Sequence, residues 1–165
     1  MHIVENFIAG KKEGIFLKIN QRAMLEEQSF YKNDSLNGQK LEFNVGGKLK
    51  LEENYVNGQM DGLRRVYYER GGVQEESTYA KGLRNGETKW YSTENRLVAV
   101  YQYKNGEFDG KQQTYYPNEK LKIEKFFQQN LAEGNYIEYF ENGQIRKQGQ
   151  YKKNEKDGLW IEYNE

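Results

Sequence analysis

The sequence predicts an all-β fold, an elongated single-layer antiparallel meander of repeated 24-residue β-hairpins. Three observations predict it. Glycine recurs at Gly14, Gly38, Gly62, Gly86, Gly110, Gly134 and Gly158, each 24 residues after the last with no insertion or deletion. Aromatic columns keep the same register. A content of 36% hydrophobic and 30% charged residues, with a mean hydropathy of -1.09, leaves too little apolar material for a thick core. The 14 tyrosines and the zero net charge argue for order all the same.

With each glycine as position 1, the chain reads as one repeat domain over 1–165. A partial repeat 1–13 precedes full repeats 14–37, 38–61, 62–85, 86–109, 110–133 and 134–157, and a partial repeat 158–165 follows. Positions 2 to 7 form the first strand-length segment. Its position 6 is Ile19, Phe43, Tyr67, Tyr91, Tyr115, Tyr139 and Tyr163. A turn follows, marked by "NVGGK", "ERGGV", "TENR", "YPNEK" and "FENGQ". In "INQRAMLEEQSFYKND" that turn lacks glycine, and a hairpin is still expected there. Positions 12 to 18 form the second segment. It opens on Leu25, Leu49, Val73, Leu97, Leu121 or Ile145 and ends on Phe7, Tyr31, Tyr55, Tyr79, Tyr103, Phe127 or Tyr151. Even positions carry most of the apolar residues in both segments, so the period is two and one face of the sheet is expected to be greasier. On that parity Phe43 should face Leu49, and Tyr55 should face Tyr67, as rungs of one structural ladder. Position 24 is Asn37, Asp61, Asn85, Asp109, Glu133 or Asp157, and Asx-Gly at positions 24 and 1 is expected to reverse the chain between hairpins.

Catalytic and metal-binding motifs are sparse. There is no cysteine, which removes disulfides and thiolate sites, and the only histidine is His2, near a chain end. Asp61, Asp109 and Asp157 recur at one position and could suggest a carboxylate metal site, but turn chemistry explains them without a ligand. No glycine-rich phosphate loop is present. No catalytic residue, cofactor or metal is expected, and the protein should not be an enzyme. A balance of 25 basic and 25 acidic side chains argues against nucleic acid and membrane lipid as partners. The start "MHIVENF" lacks the basic and apolar runs of a signal peptide, so the chain as written is expected in the cytoplasm, and at the envelope or outside the cell if a leader was removed.

The stretches "GLWIEY", "YFENGQIRKQGQYKKNEKDG" and "YVNGQMDG" resemble the bacterial variant of the MORN repeat, over essentially the whole chain. The resemblance implies an elongated single-layer sheet that recognises or organises protein partners; some bacterial members are YwqK-like antitoxins, others envelope or secreted proteins. Two departures stand out. Tryptophan occupies position 3 only at Trp160, and the loop glycine of Gly10, Gly58, Gly82 and Gly106 becomes Asp34, Asn130 and Asn154, which also tolerate positive φ. MORN repeats also occur attached to lipid kinases and methyltransferases, but no kinase-like segment is present here.

The expected function is protein–protein interaction, of an antitoxin or immunity kind, with a secreted or surface module contacting a host or envelope ligand as the alternative. Candidate partner-binding residues are those that break the polar pattern of odd positions: Tyr68, Trp90, Val98, Val100, Tyr116, Phe126 and Phe140. Free edge strands near "HIVENF" and "GLWIEYNE" offer a route to self-association.

Overall fold

A computed structural model describes residues 1–164. Among them there are strands and turns and no helix. The chain divides into two units, Met1–Leu83 and Arg84–Glu165. The first holds β1 (His2–Val4), β2 (Phe7–Ile8), β3 (Lys11–Lys12), β4 (Gly14–Ile19), β5 (Leu25–Lys32), β6 (Ser35–Leu36), β7 (Gly38–Phe43), β8 (Leu49–Val56), β9 (Gln59–Met60), β10 (Gly62–Tyr67) and β11 (Val73–Ala80). The second holds β12 (Leu83–Tyr91, whose first residue closes the first unit), β13 (Leu97–Lys104), β14 (Glu107–Tyr115), β15 (Leu121–Gln128), β16 (Leu131–Tyr139), β17 (Ile145–Lys152) and β18 (Glu155–Glu162).

Each unit is an antiparallel meander whose strand order follows the chain. In the first the order is β1-β4-β5-β7-β8-β10-β11, with β6 on β5 and β9 on β8; in the second it is β12 through β18 without a break. β2 and β3 form a separate two-stranded ribbon. Phe7, expected to extend the aromatic column, sits in that ribbon opposite Lys12 and is 57% exposed.

The glycine-free turn forms as expected. Asn20 Oδ1 accepts the backbone N–H groups of Arg22 (2.9 Å) and Met24 (3.0 Å), the same cap that Asn44 gives its glycine-containing turn, and Ala23 takes the positive φ (+59°) that Gly47 takes there.

The reversal between hairpins falls elsewhere than expected. Two-residue turns at positions 20 and 21, from Asn33-Asp34 to Lys153-Asn154, carry positive φ at both residues, the geometry of the tight hairpin turn. Position 1 glycines instead lie inside the ladder, each opposite the aromatic residue of its own hairpin: Gly14–Tyr31, Gly38–Tyr55, Gly62–Tyr79, Gly86–Tyr103, Gly110–Phe127 and Gly134–Tyr151. With φ from +67° to +116°, position 1 strains any side chain.

Position 24 then acquires a different job. Its side chain accepts the backbone N–H of position 20 in the following hairpin, at Glu13–Asn33 (2.8 Å), Asn37–Asn57 (3.1 Å), Asp61–Lys81 (3.1 Å), Asn85–Asn105 (3.3 Å), Asp109–Gln129 (3.4 Å) and Glu133–Lys153 (2.9 Å). Backbone bonds of 2.7 to 3.0 Å, such as Gly82 N–H to Met60 O, join the same turns. Where aspartate or asparagine replaces the loop glycine, its side chain accepts one further backbone N–H: Asp34 from Lys12 (2.7 Å), Asn130 from Phe108 (2.8 Å) and Asn154 from Ala132 (2.6 Å). The departures from the repeat pattern therefore tighten the stack of turns.

A bulge recurs in every hairpin between positions 5 and 6, as at Val66/Tyr67 and Trp90/Tyr91. It switches the parity. Positions 1, 3 and 5 pair with 18, 16 and 14, whereas 2, 4 and 6 pair with 17, 15 and 12. The even positions of the two segments thus lie on opposite faces, and the aromatic residues form two ladders. Tyr31, Tyr55, Tyr79, Tyr103, Phe127 and Tyr151 share the face of the glycines; Phe43, Tyr67, Tyr91, Tyr115 and Tyr139 lie on the other. Phe43 does pair with Leu49, but Tyr55 pairs with Gly38 and Met60, not with Tyr67.

Nearly all the buried side chains gather on the glycine face, hereafter the inner face: Ser29, Glu53, Glu75 and Ser77 in the first unit, Thr88, Ala99 and Gln112 in the second. A thin sheet achieves this by pairing large with small across the hairpin at positions 3 and 16, as in Phe16–Ser29, Arg64–Ser77, Thr88–Tyr101 and Tyr136–Gly149. At Gly149 a Cβ would lie 2.7 Å from Trp160 Cγ, so the indole occupies the space that glycine leaves.

Candidate functional site

The inner faces of the two units differ in chemistry. In the first, Arg64 sits between two buried carboxylates, with its Nε 3.0 Å from Glu53 and an Nη 3.3 Å from Glu75. The Tyr55 hydroxyl donates to Glu53 at 2.8 Å, and the Ser77 hydroxyl donates to Glu75 at 3.0 Å. Burial and the hydrogen bond to Glu53 push the Tyr55 phenol up to about 12. These groups satisfy one another, so this face is internally closed.

The second unit keeps polar groups in reserve. One cross-strand row of its inner face runs Trp90–Ala99–Thr114–Ile123; the next runs Thr88–Tyr101–Gln112–Lys125–Tyr136. Thr88 Oγ1, Trp90 Nε1, Gln112 Oε1 and Thr114 Oγ1 are buried without a hydrogen-bond partner. Such groups are uncommon, because each forfeits its bonds to water. Tyr101, Phe108, Gln112, Thr114, Ile123, Lys125 and Phe127 line a pocket of about 240 Å³ in this region. Tyr101 and Phe108 meet edge to face at 5.7 Å, and Phe108 and Phe127 lie 5.5 Å apart. Lys125 Nζ lies 4.7 Å from the Phe127 ring centre and 4.6 Å from that of Tyr151. Desolvation holds its amine below the usual lysine range. Beyond it Tyr136, Tyr151 and Trp160 pack at 5.0 to 5.8 Å, and burial with a hydrogen bond to Glu138 pushes Tyr136 up to about 12.

The sequence candidates do not form one patch. Trp90 lies on the inner face beside this site. Val100 and Phe126 pair with Lys89 and Lys111 on the opposite face, and Val100 is only 7% exposed, so it packs into the sheet and presents no contact surface. Val98 is the residue that the bulge leaves unmatched across the hairpin, and it is 42% exposed. Tyr68, Tyr116 and Phe140 begin the mid-repeat turns, where Tyr116 donates its hydroxyl to Tyr139 O at 2.7 Å, a contact that clamps neighbouring hairpins. Sequence reasoning missed Thr88, Tyr101, Gln112, Thr114 and Lys125. Their signal was positions 3, 5 and 16 taken together, which becomes readable only once the bulge is known.

Asp61 and Asp109 serve as acceptors for the turns, as described above. Among the described residues no group of three or more His, Asp or Glu is placed to hold a metal ion. His2 is exposed on β1.

Stacked hairpins, stapled turn to turn and lacking a conventional core, define the class: an antiparallel β-hairpin repeat protein. The family model described as the MORN repeat variant matches residues 60–81, 108–129 and 132–153. Each match runs from position 23 of one repeat to position 20 of the next, and so contains one complete position-24 cap. No curated protein matches the chain.

Proposed function

We propose that this chain is a non-enzymatic protein-interaction module that binds another protein along the inner face of the unit beginning at Arg84. One observation carries the reading: buried polar atoms of Thr88, Trp90, Gln112 and Thr114 lack partners within a surface rich in aromatic side chains. Amphipathic aromatics with polar groups in reserve are what binding hot spots use. The closed Arg64 network of the first unit offers no such reserve. An antitoxin or immunity role follows from the family resemblance alone, and a neighbouring toxin gene would support it.

The test is affinity capture from the native host with wild-type chain, Trp90→Phe, and a control, Gln150→Ala, on the opposite face. Trp90→Phe keeps the ring packing and removes the indole N–H. The expected result is a partner retained by wild type and control and depleted by Trp90→Phe. Equal recovery by all three would overturn the assignment of this face.

A further inference from the structure

Each contact that builds a hairpin, or staples it to the next, needs two complementary halves. At the two ends of the strand order some halves are left over. From Gly158 onward β18 is the first segment of a hairpin; β17 pairs with one of its edges, and among the described residues no strand pairs with the other. β1 sits on β4 as β8 sits on β10, with position 15 opposite position 4 of the next repeat, at Val4–Leu17 and Glu52–Arg65. The β2–β3 ribbon repeats β8–β9, with Phe7 opposite Lys12 as Tyr55 is opposite Met60. β1 and the ribbon are therefore the second segment and end turn of a hairpin, and the outer edge of β1 is also unpaired.

The unmet groups match one by one. Among the described residues Gly158 is the position-1 glycine with no aromatic residue opposite, and Phe7 is the position-18 aromatic with no glycine opposite. Asp157 is the position-24 side chain that caps no turn. Ala9 and Gly10 form a turn of the same geometry as the others, with φ +49° and +78°, and the Ala9 N–H receives no such cap. Elsewhere the position-21 N–H reaches the position-23 carbonyl of the preceding repeat at 2.7 to 3.0 Å; Gly10 N–H has no such bond, and no turn N–H reaches Lys156 O. Apolar exposure falls on the same edges. Phe7 and Leu159 are exposed, whereas Tyr31, Tyr55, Tyr79 and Tyr103 at the position of Phe7, and Ile15 and Leu63 at that of Leu159, are half-buried by neighbouring hairpins.

We infer that the chain assembles head to tail with a second copy of itself, β1 and the β2–β3 ribbon of one copy completing the hairpin that β18 of the other begins. In the register of the internal hairpins, Phe7 then covers Gly158, Val4 pairs with Ile161 and Ile3 with Glu162. Asp157 accepts the Ala9 N–H, and Lys156 O accepts the Gly10 N–H. The occupant is a second copy because the complement of each unmet group lies on this same chain. The contact is heterologous, so every addition leaves one β1 edge and one β18 edge free for another copy. The inference does not rest on the protein-binding reading, since it uses the edges of the sheet and none of the groups around Trp90.

The experiment uses the absence of cysteine from the chain. Ile3→Cys is mixed with Glu162→Cys in a thiol–disulfide buffer and disulfide-linked dimers are read on a non-reducing gel, beside each variant alone and a mixture of Phe7→Cys with Glu162→Cys. Ile3 and Glu162 are both exposed, so neither substitution disturbs the packed interior. Directly opposed antiparallel residues have Cα atoms about 4.5 to 5.5 Å apart, within reach of a disulfide, whereas Phe7 would lie four residues, about 13 Å, further along the strand. The expected result is a mixed dimer from Ile3→Cys with Glu162→Cys and from neither variant alone nor the Phe7→Cys mixture, together with a wild-type mass by light scattering that rises with concentration past the dimer. A wild-type chain that stays monomeric, Glu162→Cys that links to itself as readily as to Ile3→Cys, or equal linking in the Phe7→Cys mixture would each overturn the proposal.

Discussion

Replacing Arg64 by methionine keeps the length and apolar stem of the side chain but removes a cation that bridges Glu53 and Glu75. The two carboxylate side chains are 8% and 6% exposed, so neither can be fully rehydrated where it stands. Removing one partner of a buried ion pair costs about 3 to 5 kcal/mol, because the remaining charge is stranded. Two features place this case near the lower limit: the guanidinium is itself 21% exposed, and the hydroxyls of Tyr55 and Ser77 still donate to the carboxylates. The expected loss is about 3 kcal/mol. A second variant separates stranded charge from lost packing. Arg64→Met combined with Glu53→Gln and Glu75→Gln removes every charge of the cluster and keeps its volume, and should recover stability to within about 1 kcal/mol of wild type. Urea unfolding followed by far-UV circular dichroism gives the totals. Amide hydrogen exchange across β8, β10 and β11 shows whether the loss is local, which matters because repeat arrays need not unfold in one step. A single-variant loss below about 1 kcal/mol, or a triple variant no more stable than the single, would refute the claim that this face is held by mutual charge satisfaction.

Three further outcomes are expected. Asp61→Ala should cost about 1 kcal/mol and speed exchange of the Lys81 amide, whereas Asp61→Asn should be nearly neutral, since Asn37 and Asn85 make the same bond at 3.1 and 3.3 Å. Tyr55 and Tyr136, raised in the fold from 10.0 to about 12, bind their protons more tightly folded than unfolded. Their stabilisation is therefore complete below pH 10 and lost as pH rises to 12; each shift has an upper bound of about 2.7 kcal/mol, reduced to about 1 to 2 kcal/mol by solvent screening. The Tyr55→Phe/Tyr136→Phe variant should show a flatter stability profile over that window than wild type. Finally, β1 and β18 are edge strands, and Leu159 on β18 is 77% exposed, so light scattering should detect concentration-dependent self-association that Leu159→Lys abolishes; a monomer at every concentration would contradict it.

The repeat period, the hairpin and its mid-repeat turn were legible because each is written in local chemistry, glycine and Asx for the turn and alternation for the strands, whereas the reversal between hairpins falls at positions 20 and 21 and not at the Asx-Gly pair that the sequence marks. Which face a residue occupies was not legible either. That depends on one bulge between positions 5 and 6, and a bulge inserts a residue into pairing without leaving a distinctive letter in the chain. One step of register carries a side chain through the sheet, so Val100 and Phe126, grouped with Trp90 by parity, emerge on the far side. Position 24 shows the same limit in another form. An acidic or amide residue before glycine reads as a turn signal, and it does act on a turn, but on the one twenty residues later. A stacked fold converts such sequence-distant positions into neighbours, so a column conserved from repeat to repeat within the chain reports what every hairpin needs from the next. The candidate site follows from the converse. Positions 3, 5 and 16 vary among the copies, from the Arg64–Ser77 pair with its two carboxylates to Gln112, Thr114 and Lys125 with theirs missing, and the stacking is indifferent to the change. What the scaffold leaves free at those positions is where this chain can differ chemically from any other built on the same repeat.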